Sequence, residues 1–215
     1  MNSKINALII GAVLGDAHIQ KTQSKTEKCR LRIAHGKDQE FYVYYKYQQL
    51  MHFCPSEPKY DKGNQTWHFY TYYSSEMQKY HDLFYEGAAT KKGLRYRKTI
   101  RKDLENWLVD PISLAIWYCD DGSKRINADA CRIATNGFNL EEIRCLQHIL
   151  KQNFEIPSHI VKSGKSPKNK NQWYNLSFSA RDGGFLKFRE IIEPYISTEI
   201  PQMQYKIKLR KPRND

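Results

Sequence analysis

Two aspartates are marked out by their setting: each closes an apolar run and is followed by a small residue. Asp16 ends the run that begins at Ala7 and precedes Ala17, and Asp121 ends the run that begins at Ile112 and precedes Gly122, 105 residues further on. If the runs are helices, both acids stand at C-terminal ends, where the macrodipole disfavours an anion by roughly 0.3–1 kcal/mol. An acid that opposes its dipole in both runs implies a cation beside it. Two carboxylates brought together repel, and hard divalent cations with oxygen ligands relieve them, Mg²⁺ above all with Mn²⁺ as its substitute. The chemistry a two-metal site supports is phosphodiester hydrolysis.

The elements that must position these acids recur in the same order. Gly11 and Gly15 lie four apart on one helix face and let the two helices approach closely at a pseudo-two-fold axis, so that Asp16 and Asp121 converge. A segment follows in which Arg30 and Arg32 alternate with Leu31 and Ile33, and in the second half Arg132 stands between Cys131 and Ile133. Period-two alternation predicts half-buried strands whose other face is basic. A helix comes next, with Phe41, Tyr44, Tyr45, Tyr47 and Leu50 in one copy. Its counterpart carries Ile143, Leu146, Ile149 and Leu150 after an Asn139/Glu142 capping box. Hairpins lead into Trp67 and Trp173, read here as equivalent landmarks, and closing helices are expected over 76–84 and 185–192. Each half then ends in a lysine-bearing segment, at Lys98 and Lys206. The expected fold is α+β: two pseudo-symmetric α-β-β-α-β-β-α units, 1–104 and 105–215, each with an antiparallel sheet that carries a basic face, joined as a pseudo-dimer.

Composition narrows the partner. Over 215 residues, 35 basic against 23 acidic side chains leave +12, the mark of a polyanion-binding protein. With 40% hydrophobic residues the chain can build a core, which excludes disorder as its main state. No apolar run reaches the roughly 18 residues of a membrane span, and the N-terminus reads neither as a secretory signal nor as a transit peptide. Five scattered cysteines without a C-x-x-C pair argue against a zinc or redox centre and for a reducing compartment.

The two runs, Ile9–Ala17 and Leu114–Gly122, resemble the paired signature motifs of LAGLIDADG homing endonucleases in their single-chain, two-motif form. Leu114, Ala115, Asp120, Asp121, Gly122, the Lys98–Ile100 and Ile200–Met203 segments, Tyr205 and Lys206 look most similar to the mitochondrial omega-intron endonuclease branch. The resemblance implies metal ligation by Asp16 and Asp121 together with the adjoining Ala17 and Gly122, and a catalytic set of Asp16, Asp121, Lys98 and Lys206. It also implies that the two antiparallel sheets form a DNA-binding saddle, and it implies intron or intein mobility and short 3′ overhangs. Asp120 falls outside the family's metal position. Gly11 and Gly15 align with Ile116 and Asp120, so the helix interface is not symmetric in detail.

On the exposed sheet faces, Gln20, Lys28, Arg30, Arg32, Lys59, Lys62 and His68 are assigned to DNA from the first half. Lys124, Arg125, Asn127, Arg132, Lys162, Lys165, Lys168, Lys170 and Gln172 are assigned from the second. The leading reading is a monomeric, site-specific endonuclease cutting both strands of a long asymmetric duplex. An RNA maturase binding intron RNA is the alternative, as is a DNA-binding protein with a retired active site. The four retained catalytic candidates argue against the last. Residence follows the encoding genome: mitochondrion or chloroplast for an organellar intron, otherwise cytoplasm.

Overall fold

The computed structural model describes residues 2–22, 28–90, 93–167 and 170–209. The first helix, α1 (Ser3–Leu14), starts at Asn2, whose side chain accepts the Ile5 N–H at 2.9 Å. Every residue from Ala7 to Leu14 is buried. A helix that is apolar all round belongs in a core, and α1 occupies the middle of the molecule. Antiparallel strands β1 (His18–Lys21) and β2 (Cys29–Gly36) follow, then α2 (Glu40–Leu50), β3 (Lys59–Asp61), β4 (Thr66–Tyr70) and α3 (Gln78–Phe84).

The second half repeats the order. Helix α4 (Pro111–Asp121) is capped by Asp110 with proline at its first turn, then come β7 (Gly122–Lys124) and β8 (Ala130–Ala134) after an intervening hairpin, β5 (Tyr85–Thr90) and β6 (Gly93–Lys98). Helix α5 (Leu140–Phe154) carries the expected Asn139/Glu142 capping box, and β9 (His159–Lys165), β10 (Gln172–Ser179) and α6 (Gly184–Glu199) complete the chain's elements. The sheets run β1-β2-β4-β3 and β7-β8-β10-β9, the same order in each half.

Helices α1 and α4 pack face to face. A Cβ on Gly11 would stand 2.4 Å from the Ser113 carbonyl oxygen, and Ser113 Oγ donates to the Ala7 carbonyl at 2.9 Å. Only a residue without a side chain fits there.

Three expectations are corrected. Among the described residues the β5–β6 hairpin has no counterpart in the second half; Gly87, Ala88 and Ala89 gave β5 no apolar alternation to read. It is tied down instead by the Tyr85 hydroxyl, which accepts the Ile19 N–H at 3.1 Å. Helix α6 continues past Ile192 through Pro194 because Ile192 and Ile196 both stay buried. Trp67 and Trp173 are not equivalent: Ile33 pairs with Phe69 and Ile133 with Leu176, which matches Trp67 to Tyr174. A one-residue slip in a strand exchanges its faces, so Trp67 packs towards the helices while Trp173 lies on the opposite side.

Candidate active site and nucleic-acid face

Asp16 sits in the turn after α1 with its side chain 49% exposed, and Asp121 is the last residue of α4. Lys98, at the end of β6, donates to the carbonyls of Gly15 at 2.8 Å and Ala17 at 3.2 Å. Lys206 donates to the Cys119 carbonyl at 2.6 Å and the Tyr118 carbonyl at 3.5 Å, while the Tyr118 hydroxyl donates to Lys206 O. Each ammonium therefore reaches backbone carbonyls at the C-terminal end of its own half's axial helix, the negative pole of that helix. These lysines lie beside the acids, as the resemblance implied.

The site's charges act on one another. Burial lowers the affinity of both Lys98 and Lys206 for their protons, opposed by the charges of Asp16, Asp120 and Asp121. The Asp121 carboxyl is pushed up to about 7, first by burial and then by Asp16 and Asp120. Asp16 is held below the usual carboxylate range, foremost by His35, with Lys46 and Lys98 adding to the effect. An oxygen-donor pair in which one carboxyl retains its proton for want of positive charge suits a hard divalent cation. Gly122 is buried, the first residue of β7, and the Ala17 carbonyl is already engaged by Lys98.

A buried cluster beside Asp16 was not foreseen. The Lys46 ammonium, fully buried, donates to Asp120 Oδ1 at 2.7 Å and lies 3.0 Å from His35 Nε2 and 4.2 Å from the Tyr42 ring centre. His35 Nδ1 faces Asp16 Oδ2 at 3.5 Å, and Asp120 Oδ2 accepts the Asp16 N–H at 3.3 Å. Ligand atoms of Asp16, His35 and Asp120 all lie within 4.8 Å of one another, a spacing that would suit a metal, but the Lys46 ammonium already supplies the positive charge between His35 and Asp120. The signals present in the sequence were a lysine inside the aromatic stripe of α2 and the doubled acid ending α4.

Sheet register sorts the DNA-face assignments. His18 pairs with Arg32 and Arg32 with Tyr70; Gln20 pairs with Arg30, and Ala34 with His68 and His68 with Lys59, so these residues share the outward face. Arg30 is held there: its guanidinium lies 4.1 Å from the Tyr70 ring centre and 4.7 Å from that of Tyr73, and its Nε donates to Gln20 Oε1 at 2.8 Å. In the second half Ser123, Arg132 and Ser177 share the outward face with Asn175. Lys124, paired with Cys131, and Lys162, paired with Tyr174, register on the helix side, as do Lys165 and Gln172 beyond a bulge at Trp173/Tyr174. Their placement on the outward face is corrected accordingly; the alternation was counted without that register. Lys28, Lys62, Arg125, Asn127 and Lys170 are exposed in loops, and Lys168 lies outside the described residues. His18, Tyr70, Tyr73, Ser123, Asn175 and Ser177 are outward-face or adjoining residues that the sequence reading missed. Three shielded atoms on these faces, His68 Nδ1, Arg132 Nε and Asn175 Oδ1, have no hydrogen-bond partner among the described residues. A shielded polar atom without a partner costs about 1–3 kcal/mol, which a polar ligand across the faces would relieve.

Residues 6–184 match the model of the LAGLIDADG DNA endonuclease family. The chain belongs to that family. It is 27% identical over 212 residues to DNA endonuclease I-ChuI of Chlamydomonas applanata, covering 93% of this chain and 92% of that one. It is also 27% identical over 226 residues to cytochrome b mRNA maturase bI2 of Saccharomyces cerevisiae, spanning 96% of this chain but 48% of that protein. Among solved structures, the homing endonuclease I-WcaI bound to its DNA recognition sequence superposes with a TM-score of 0.78 at 23% identity, over 98% of this chain and 88% of that one, a likeness of fold. As a LAGLIDADG endonuclease, the chain is a hydrolytic nuclease with the family's α+β fold.

Proposed function

We propose that the protein is a monomeric, site-specific homing endonuclease that breaks both strands of a long asymmetric duplex, one phosphodiester per strand. The observation that carries this is the meeting of Asp16, Asp121, Lys98 and Lys206 at the paired ends of α1 and α4, beneath two sheets whose outward faces hold unpartnered polar atoms. Two halves of unlike sequence require no palindrome. The units divide at 104/105, within the helical turn Lys102–Asn106 that links the β5–β6 hairpin to α4.

Asp16 and Asp121 would hold Mg²⁺, which supplies Lewis-acid activation and neutralises charge that develops on the phosphate. Of the two acids, Asp16 is the more accessible and stays ionised, and Asp121 would have to lose its proton to hold a dication. Lys98 and Lys206, fixed by the helix-end carbonyls, stand ready to stabilise negative charge gained by the phosphoryl oxygens in the transition state. Arg30, braced by Tyr70 and Tyr73, and Arg132 face the grooves, where arginine pairs with guanine edges or with phosphates.

The test is cleavage. The purified chain, given a randomised duplex library or plasmids carrying candidate insertion sites, should cut a defined sequence in Mg²⁺ or Mn²⁺ and none in chelator. Absence of cutting together with tight binding of a structured intron RNA would establish the second reading, a maturase, which likeness to the cytochrome b protein favours. Such an outcome would fit expression from an organellar intron equally well.

A further inference from the structure

Among the described residues the buried cluster at Asp16 has no counterpart at Asp121. Register makes Ile33 equivalent to Ile133, since Ile19 pairs with Leu31, His18 with Arg32, Ser123 with Arg132 and Gly122 with Ile133. His35 is then matched by Thr135. Helices α2 and α5 follow at the same offset: Val43 and Ile143, and Leu50 and Leu150, are all fully buried pairs, which places Leu146 opposite Lys46. Across the axis Asp120 is matched by Gly15. One half therefore has Lys46, His35 and Asp120 where the other has Leu146, Thr135 and Gly15. Thr135 is turned away, its hydroxyl donating to the Tyr174 carbonyl at 2.7 Å.

The chain of contacts has a direction. A lysine ammonium only donates, so His35 Nε2 is the accepting nitrogen of its 3.0 Å contact, and the ring proton resides on Nδ1, aimed at Asp16. Asp120 neutralises the buried ammonium and accepts the Asp16 N–H from the other side. Asp16 is thereby gripped at its backbone and faced at its carboxylate.

We propose that Lys46, His35 and Asp120 form a one-sided strut that positions Asp16, making the two half-sites unequal so that the strand served by Asp16 is nicked first. This rests on the nuclease reading above. The three are positioning residues, since each acts through Asp16. Removing partners that orient a metal ligand costs about 10- to 100-fold in metal affinity or activity. Both charges of a buried pair are best removed together, because a single deletion strands the other charge.

The variant is Lys46→Met with Asp120→Asn, which keeps an acceptor for the Asp16 N–H; His35→Leu breaks the link while leaving the Lys46–Asp120 ion pair, at the cost of the ammonium's second acceptor, and His35→Asn restores a donor near Asp16. Duplex recovered by the cleavage selection is labelled on each strand, and the strand served by Asp16 is the one that Asp16→Asn leaves intact. Wild type should nick that strand first. In the double variant and in His35→Leu its nicking should slow about tenfold or more, with the other strand changed far less, and His35→Asn should recover it. A Mn²⁺ titration of the protein alone, followed by electron paramagnetic resonance, should show the tightest site weakened by a similar factor. Equal slowing of both strands, no slowing, or an unchanged Mn²⁺ isotherm in folded variants overturns the strut. If wild type cuts no duplex, the nuclease reading fails and the Mn²⁺ isotherm decides the strut by itself.

Discussion

Gly15 lies against Asp120 across the axis of the pseudo-dimer: a Cβ on Gly15 would stand 2.5 Å from both the Cβ and the Oδ2 of Asp120. The glycine of one helix thus makes room for the acid of the other, and that acid in turn accepts the N–H of Asp16. Close helix packing and the geometry of the cutting site are one arrangement.

Crowding this seam should cost stability. Gly11→Ala places a methyl group against the Ser113 carbonyl, a backbone atom that cannot swing aside, and should lower unfolding free energy by roughly 1–3 kcal/mol. Urea unfolding with an unchanged midpoint would show that the helices separate more easily than their packing indicates.

Without divalent cation, stability should fall as pH rises from about 4 to about 7. Asp121 keeps its proton up to about 7 in the folded chain but loses it near 3.8 when unfolded, so the native state binds more protons across that window and raising pH favours unfolding. Asp16, held below 3.8, acts in the opposite sense below that window, and His18, lowered from 6.5 by burial, opposes Asp121 within it, so the fall is read as the difference between wild type and the Asp121 variant. Asp121→Asn should flatten the fall in melting temperature measured in chelator, and Mg²⁺ should flatten it in wild type. An equally steep profile in the Asn variant would remove Asp121 as its source.

Asp16→Asn and Asp121→Asn should each abolish double-strand cutting while leaving duplex affinity largely intact. Gel-shift binding in Ca²⁺ beside a cleavage assay in Mg²⁺ separates the two effects. Full double-strand cutting by either variant would take that aspartate out of the chemistry.

Lys98→Ala and Lys206→Ala should slow the single-turnover rate at saturating enzyme far more than they weaken binding, whereas Arg30→Ala or Arg32→Ala should chiefly raise the dissociation constant. Arg30 should show the larger loss of the two, since Tyr70, Tyr73 and Gln20 hold it in place before DNA arrives. Unchanged rates in both lysine variants would leave them as helix-end caps alone.

Binding should weaken steeply with salt, with a log–log slope of about −0.9 for each phosphate neutralised, and sedimentation should find one chain per duplex. A flat salt response would contradict a DNA surface built around a net charge of +12. Two chains on each duplex would contradict the pseudo-dimer.

Local chemistry written along the chain was enough to read the axial helices, the capping box at Asn139, the basic strands and the two acids, while the family resemblance pointed to the lysines beside them. Each depends on spacing within an element or on the repeat of one half in the other. Tertiary structure decided the rest. Which face Lys124 and Lys162 occupy depends on register between strands, and a single bulge at Trp173/Tyr174 puts Lys165 on the same face as Lys162. Strand β5 has no apolar alternation of its own and is held by the contact of Tyr85 to Ile19, 66 residues away in sequence. Lys46 lies within an aromatic helix with nothing nearby in sequence to mark it, yet it is buried because Asp120, 74 residues away, neutralises it. Hydrophobic periodicity reports which side of an element faces the core; it carries no record of which charges meet there, since that is settled only when elements from both halves pack at the axis.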